Sequence, residues 1–147
     1  MSAHVNPFGV TITTDDIVDS LGFFDSWEER YKYIIDLGKE LPGIAPEKKT
    51  DANLVRGCQS QVWIDVSRDG DKLIFDVDSD AFIVKGLLGL VLAAYNAKTP
   101  EDILAFDIEA YFEKLALLKH LSPTRGNGIQ AMVQRVQAAA KWFCRKV

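Results

Sequence analysis

Apolar and polar residues alternate in two neighbouring stretches of the chain, residues 61–67 and residues 72–78. A period of two residues is typical of a β-strand that buries one face. Asp69 and Gly70 stand between the two stretches, and Asp-Gly is a frequent turn in β-hairpins. The apolar face would consist of Val62, Ile64 and Val66 on the first strand and Leu73, Phe75 and Val77 on the second. The pattern predicts an antiparallel hairpin packed by helices, because an isolated hairpin is not stable in water. It leaves the position of any third strand open.

Two helices are predicted before the hairpin. Thr14 is placed to cap a short helix that Gly22 would end. Ser26 and Glu29 form a capping box at the start of a second helix. Apolar residues at helical spacing extend this second helix to about Leu41.

The predicted helices after the hairpin form the larger part of the core. Ser79 and Asp80 are placed to cap a helix in which residues 83–92 are apolar almost all round. A helix of that kind is buried, so we expect it at the centre of the core. Residues 99–102 start shorter helices with Pro at the first helical position, and residues 122–125 start a final helix with a clear apolar stripe.

These elements predict the α+β class, with a short antiparallel sheet packed by several helices. The chain has 147 residues, of which 48% are hydrophobic and 26% charged. That length and composition suit one domain, residues 1–147, with a core that needs no disulfides. Residues 1–13 show no periodicity and contain Pro7 and Gly9, so we expect an extended or mobile arm.

The charge balance disfavours a nucleic-acid partner. Lys and Arg total 17 against 21 Asp and Glu, a net charge of -4, which offers a phosphate backbone no overall attraction. The charged residues 47–51 are interpreted as a solvated connector. The apolar run 86–95 is shorter than the roughly 20 residues that span a bilayer, and no secretory signal is recognisable at the N-terminus. We therefore expect a cytoplasmic protein that does not bind membranes.

Cys58 is the strongest candidate for chemistry. It stands just before the first predicted strand, after Gly57, which allows a sharp turn, and near Arg56, which adds positive potential. Both features favour a thiolate, the form in which cysteine is a nucleophile. The alternative is a small buried apolar residue, and that is the interpretation given to Cys144. The two cysteines have no Cys-x-x-Cys spacing, so neither a zinc site nor a disulfide framework is expected.

Other kinds of site have less support. A Cys58 hydrolase would need His4 or His120 as its base, and the sequence does not show that either lies near the thiol. Asp76, Asp78 and Asp80 are interpreted as a polar strand face and a helix cap rather than a cation site, because no calcium-loop spacing accompanies them. There is no glycine-rich nucleotide motif. The residues alone therefore leave a reactive thiol as the hypothesis, with no metal and no bound cofactor.

The block Gly57-Cys58-Gln59-Ser60-Gln61-Val62-Trp63-Ile64 resembles the active-site segment of the SufE proteins. These proteins are sulfur acceptors for cysteine desulfurases in iron–sulfur cluster assembly. Further segments resemble the family in the same order along the chain: residues 27–31, 37–42, 79–88, 99–103, 112–115 and 120–125. Together they extend from Trp27 to the final helix.

The resemblance implies a sulfur-transfer protein that activates a desulfurase rather than a stand-alone enzyme. Cys58 would take sulfane sulfur as a persulfide from a desulfurase that uses its own pyridoxal phosphate, and would pass it to a cluster scaffold or another acceptor. Asp80 and Arg125 are similar to family residues near the cysteine that influence partner engagement. Partner contact is also expected from the residues that flank the thiol, namely Arg56, Gly57, Gln59 and Ser60. We further expect the loop to shelter Cys58 until the partner docks.

Which partner is used stays open. Residues 6–9 look more like the arm of the paralogue CsdE, whereas the cysteine block and the Asp80 motif look like SufE itself. Residues 125–128 also depart from the usual family pattern. The desulfurase could be of the SufS type or of the CsdA type, and a CsdE-type acceptor would feed a different sulfur or tRNA-modification pathway. A third alternative is an adaptor that binds a desulfurase without thiol chemistry.

Overall fold

The computed structural model describes residues 6–145, which form six α-helices and one two-stranded sheet. In chain order the elements are α1 (Thr14–Phe23), α2 (Trp27–Gly38), β1 (Val62–Asp69), β2 (Lys72–Ser79), α3 (Phe82–Tyr95), α4 (Pro100–Ala105), α5 (Ile108–Leu115) and α6 (Pro123–Arg145). Short 3-10 turns occur at Pro46–Lys48 and Leu118–His120. The predicted α+β class is confirmed.

The predicted hairpin is present with its expected inward face. β1 and β2 pair antiparallel from Val62 opposite Ser79 to Asp69 opposite Lys72. No third strand forms within residues 6–145; instead, a single bridge covers each edge of the hairpin. Leu54 bridges to β1 and Lys98 bridges to β2. Both bridges occupy backbone groups that an open edge would leave unpaired.

α3 lies at the centre of the core, as its composition predicts. Residues 86–95 of this helix are all buried. α2 and α6 pack against it, and so does the inner face of the sheet. One end of α3 therefore meets the start of β1, where Cys58 lies, and the other end meets the N-terminal segment.

Residues 6–12 of the expected N-terminal arm pack on the far end of α3. Phe8 is 0% exposed, and its carbonyl accepts a hydrogen bond of 3.0 Å from the Asn96 side chain. The same Asn96 side chain accepts one of 2.8 Å from the Phe75 backbone N–H. Buried polar groups require such partners, and a sequence pattern does not reveal them. The rest of the arm, residues 1–5, lies outside the described residues.

Three helix boundaries differ from prediction. Thr13 rather than Thr14 caps α1, since its side chain accepts from the Asp16 N–H, and α1 continues past Gly22 to Phe23. α2 ends at Gly38 because residues 39–41 donate to carbonyls three residues back instead of four. Asp80 does not cap α3, whose N-cap is Ala81 without a side-chain cap.

The sequence predicts that the charged connector, residues 47–51, is solvated. In the structure it also forms ion pairs with the hairpin. Lys48 Nζ lies 3.2 Å from an oxygen of Asp65 and 3.7 Å from one of Asp76. Lys49 Nζ lies 3.2 Å from an oxygen of Asp78. These carboxylates stand on the outer face of the hairpin, so the connector lies across that face. Among residues 6–145, no helix is both long enough and apolar enough to cross a membrane.

Candidate functional site

Residues 56–60, here called the cysteine loop, connect the Leu54 bridge to the start of β1. The loop is closed at its base, because the Val55 N–H donates a 2.8 Å hydrogen bond to the Val62 carbonyl. Gly57 has φ +91, which an L side chain rarely adopts, so the predicted sharp turn is confirmed. A Cβ at Gly57 would lie 3.4 Å from the Ala131 Cβ on α6. The loop therefore packs directly on α6.

The turn directs the Cys58 thiol toward α6 and into a small cavity. Cys58 Sγ lies 3.6 Å from the Gly128 carbonyl oxygen, to which the thiol can donate. The cavity beside it has a volume of about 30 Å³, enough for an atom or two beyond the thiol itself. Its walls are formed by Cys58, Gln59, Ser60, Val84, Leu87, Thr124, Arg125, Gly128 and Met132. The large apolar side chains among these walls come from α3 and α6.

The expectation of a thiolate-favouring site is wrong for this closed arrangement. Burial raises the pKa of the Cys58 thiol above its ordinary value, because removal from water disfavours the charged form. The Gly128 carbonyl can only accept a hydrogen bond, so it also favours the protonated thiol. Arg56 is exposed, where water and salt screen its charge. Burial and the Gly128 carbonyl both favour the neutral thiol while the loop is closed.

The downstream end of the cysteine loop is fastened to the residues after β2. The Ser79 hydroxyl donates a 2.7 Å hydrogen bond to the Gln61 carbonyl. The Gln61 N–H donates one of 3.1 Å to the Asp80 carboxylate, and the Asp80 N–H returns one of 3.3 Å to the Gln61 carbonyl. Asp80 therefore belongs to the site, but it holds the loop instead of capping α3.

The upstream end is fastened by a residue that the sequence did not suggest. Arg135 of α6 donates to the Leu54 carbonyl at 3.4 Å and, at shorter range, to the Ala52 carbonyl. Arg135 stands within the last helix among alanines, glutamines and valines. Nothing in that pattern distinguishes it from a solvated arginine.

Of the residues predicted from sequence, Gln59, Ser60 and Arg125 line the cavity with Cys58. His120 lies elsewhere: its exposed ring stacks on Trp27 with centroids 3.9 Å apart. The structure thus gives Cys58 no histidine partner in the described range, and His4 lies outside it. The apolar walls Val84, Leu87 and Met132 were missed as site residues, because their helical spacing signals only burial.

Cys144 occupies a different setting near the end of α6. Its Sγ lies 3.6 Å from a carboxylate oxygen of Glu101. Partial burial and then this carboxylate raise the pKa of the thiol. No group of His, Cys, Asp and Glu residues in the described part of the chain is arranged to hold a metal ion.

The sequence matches the family model described as "SufE: Fe-S metabolism associated domain" over residues 15–140. The chain belongs to the SufE family. The match extends from α1 to α6 and includes the cysteine loop, both strands and all cavity walls. Membership of the SufE family implies a role in iron–sulfur metabolism and sulfur transfer, and interaction with a cysteine desulfurase in general.

One similar protein supports the family assignment, and one similar structure supports the fold. An uncharacterised SufE-like protein of Rhizobium etli is 46% identical over an alignment of 131 residues, and the match covers 86% of this chain and 88% of the relative. The solution structure of a hypothetical protein from Thermus thermophilus superposes with a TM-score of 0.71 at 19% identity. It covers 87% of this chain and 93% of the Thermus chain. At that identity the Thermus protein supports the fold alone.

Proposed function

We propose that this SufE-family protein accepts sulfane sulfur from a cysteine desulfurase as a persulfide on Cys58. It would thereby stimulate the desulfurase and pass the sulfur on for iron–sulfur cluster assembly. The observation that carries the proposal is the cavity of about 30 Å³ beside Cys58 Sγ, which has room for a second sulfur atom. A cysteine that was only a packing residue would have no need of unfilled space beside its sulfur.

The transfer is an exchange at a sulfur–sulfur bond. Cys58 sulfur attacks the outer sulfur of the persulfide on the partner's cysteine, a new S–S bond forms at Cys58, and the S–S bond on the partner breaks. The partner's cysteine leaves as a thiolate and takes up the proton that Cys58 loses, so no oxidant or reductant is consumed. The cavity walls contain neither a carboxylate nor an imidazole that could take this proton. The partner is therefore expected to supply the proton acceptor.

The closed loop fits a carrier that protects its cargo. The thiol attacks only as a thiolate, and its partial burial favours the neutral form, so we propose that the loop moves away from α6 when Cys58 reacts. After transfer, the loop would close again and place the outer sulfur in the apolar cavity, away from small thiols and oxidants. Pyridoxal phosphate chemistry would stay on the desulfurase.

The test is to incubate the protein with a desulfurase and free cysteine, without reductant, and then to measure its intact mass. A gain of one sulfur atom is expected in the wild type and none in Cys58→Ser, and reductant should reverse the gain. Parallel incubations with SufS-type and CsdA-type desulfurases compare the two candidate partners. A pull-down with Cys58→Ser should still capture the desulfurase, because the serine variant keeps the docking surface.

The proposal would be wrong if the wild type gained no sulfur from either type of desulfurase. Binding without sulfur uptake would indicate the adaptor alternative, in which the loop recognises the partner but the thiol does no chemistry. Uptake from the CsdA type alone would favour a CsdE-type pathway.

A further inference from the structure

The segment that leads into the cysteine loop lies between β1 and α6. On one side, the Asn53 carbonyl accepts a 2.8 Å hydrogen bond from the Ile64 N–H. Residues 51–53 form a turn. The Ala52 carbonyl within this turn and the Leu54 carbonyl after it face α6, where Arg135 donates to both.

Arg135 is suited to this position because its guanidinium is planar and carries several donors in fixed directions. One side chain can therefore hold two carbonyls that are two residues apart. Its charge strengthens each hydrogen bond, and partial burial of the side chain limits competition from water. Without it, both carbonyls would lose their contact with α6.

The cysteine loop is thus anchored at two points on different elements. Asp80 and Ser79 hold its downstream end at Gln61, and Arg135 holds the segment before it. Between these anchors, the loop itself contacts α6 through Gly57 and Cys58. Because Arg135 belongs to the helix that forms the cavity wall, it joins the loop to the surface from which the loop must separate.

We propose that Arg135 is a positioning residue that holds the cysteine loop closed and so sets the balance between loading and retention of sulfur on Cys58. This inference rests on the proposed sulfur-carrier function. Weakening the anchor makes the open loop more populated. A more open loop speeds attack on the partner's persulfide, but it also exposes the Cys58 persulfide to small thiols.

The test compares Arg135→Met, Arg135→Lys and the control Gln134→Met, which places the same side chain at the neighbouring exposed position of α6. Iodoacetamide alkylation of Cys58 is followed by peptide mass spectrometry, with Cys144 in the same molecule as the internal standard. Loss of the charge-assisted hydrogen bonds should raise the Cys58 rate about tenfold in Arg135→Met. The Cys58 alkylation rate of Arg135→Lys should lie between the rates of Arg135→Met and the wild type, and the rate of Gln134→Met should match that of the wild type. The pH at which alkylation of Cys58 accelerates should fall in Arg135→Met, because the pKa is raised by burial.

The second readout separates positioning from a general loss of structure. In Arg135→Met, sulfur loading from the desulfurase should become faster, and loss of the loaded sulfur to glutathione should become faster as well. An unchanged Cys58 alkylation rate in folded Arg135→Met, or loading and retention that fall together, would overturn the proposal. If circular dichroism shows that Arg135→Met does not fold, Arg135→Lys decides by the same criteria. The alkylation result is independent of sulfur uptake, so failure of the wild type to take up sulfur would refute the carrier function separately.

Discussion

The two cysteines lie near opposite ends of α6. The pKa of both thiols is shifted in the same direction, so the difference between them lies in the structure around each sulfur. Both thiols are partly buried, which raises the pKa of each, and the Glu101 carboxylate raises the pKa of Cys144 further. Cys58 lies beside a cavity and stands on a loop anchored at both ends. Cys144 is part of the helix itself and cannot move without it.

A lowered resting pKa is therefore not what distinguishes the candidate sulfur carrier. A persulfide carrier needs room for one more atom and a loop that can expose the thiol on demand. A permanently exposed thiolate would react with oxidants between encounters with its partner. A Cys58 thiol that the closed loop shelters therefore agrees with a carrier that reacts only when its partner docks.

The largest expected effect concerns which cysteine carries sulfur. Cys58→Ser should abolish sulfur uptake from a desulfurase, and Cys144→Ser should leave it unchanged, because Cys144 stands within helix α6 and not on the cysteine loop. Persulfide labelling followed by peptide mapping measures this directly. Sulfur found on Cys144 in the wild type would remove the distinction between the two sites.

The cavity can be tested with two glycines of α6. In Gly128→Ala the new Cβ would lie 3.8 Å from Cys58 Sγ, whereas the Cβ in Gly126→Ala would meet nothing within 4 Å. The alanine methyl at position 128 narrows the space for the outer sulfur, so a loaded persulfide would be crowded and sulfur uptake should slow about fivefold. Time courses of the intact mass would measure the rate of sulfur uptake in Gly128→Ala and in the wild type.

Gly126→Ala is the matched control for that experiment. Glycine is unfavourable inside a helix by roughly 1 kcal/mol relative to alanine, so both variants should raise the free energy of unfolding. Only Gly128→Ala should also slow uptake. Equal uptake in the two variants would indicate that the space beside Cys58 is not used.

A smaller effect is expected from the downstream anchor. Asp80→Ala removes the acceptor of the Gln61 N–H, and we expect the Cys58 alkylation rate to rise about threefold, since one hydrogen bond at an exposed residue contributes little. The alkylation rate of Cys144 should be the same in Asp80→Ala and in the wild type. Asp25→Ala, a change at another exposed aspartate, controls for the loss of negative charge; an equal rise there would make the Asp80 effect electrostatic rather than local.

The smallest effect is the dependence of stability on pH. Burial raises the pKa of Cys58 in the folded state, so the folded protein keeps this proton to higher pH than the unfolded chain does. The stabilisation is complete below the ordinary cysteine pKa and is lost as the pH rises through the folded-state pKa. Urea unfolding at a series of alkaline pH values should show the wild type losing stability relative to Cys58→Ser. A constant difference would show that the thiol is not buried in solution.

Sequence reasoning identified the hairpin and α3 because alternation and continuous apolarity directly report burial. It found Cys58 through its local context and Asp80 through the family resemblance. It misjudged the acidity of Cys58, since the sign of a pKa shift depends on which way the loop turns the sulfur. Arg135 could not be found, because its partners are backbone carbonyls about 80 positions earlier, and such partners leave no mark in the sequence.

The position of the N-terminal segment bears on how the protein can be attached to a surface. Phe8 and Asn96 fix this segment at the C-terminal end of α3, whereas Val84, in the first turns of α3, lines the cavity. At about 1.5 Å per helical residue, Asn96 and Val84 are separated by roughly 18 Å along the helix axis. A tether placed ahead of Asn6 would leave the chain far from Cys58, so an immobilised protein would still present its cysteine loop to a desulfurase in solution.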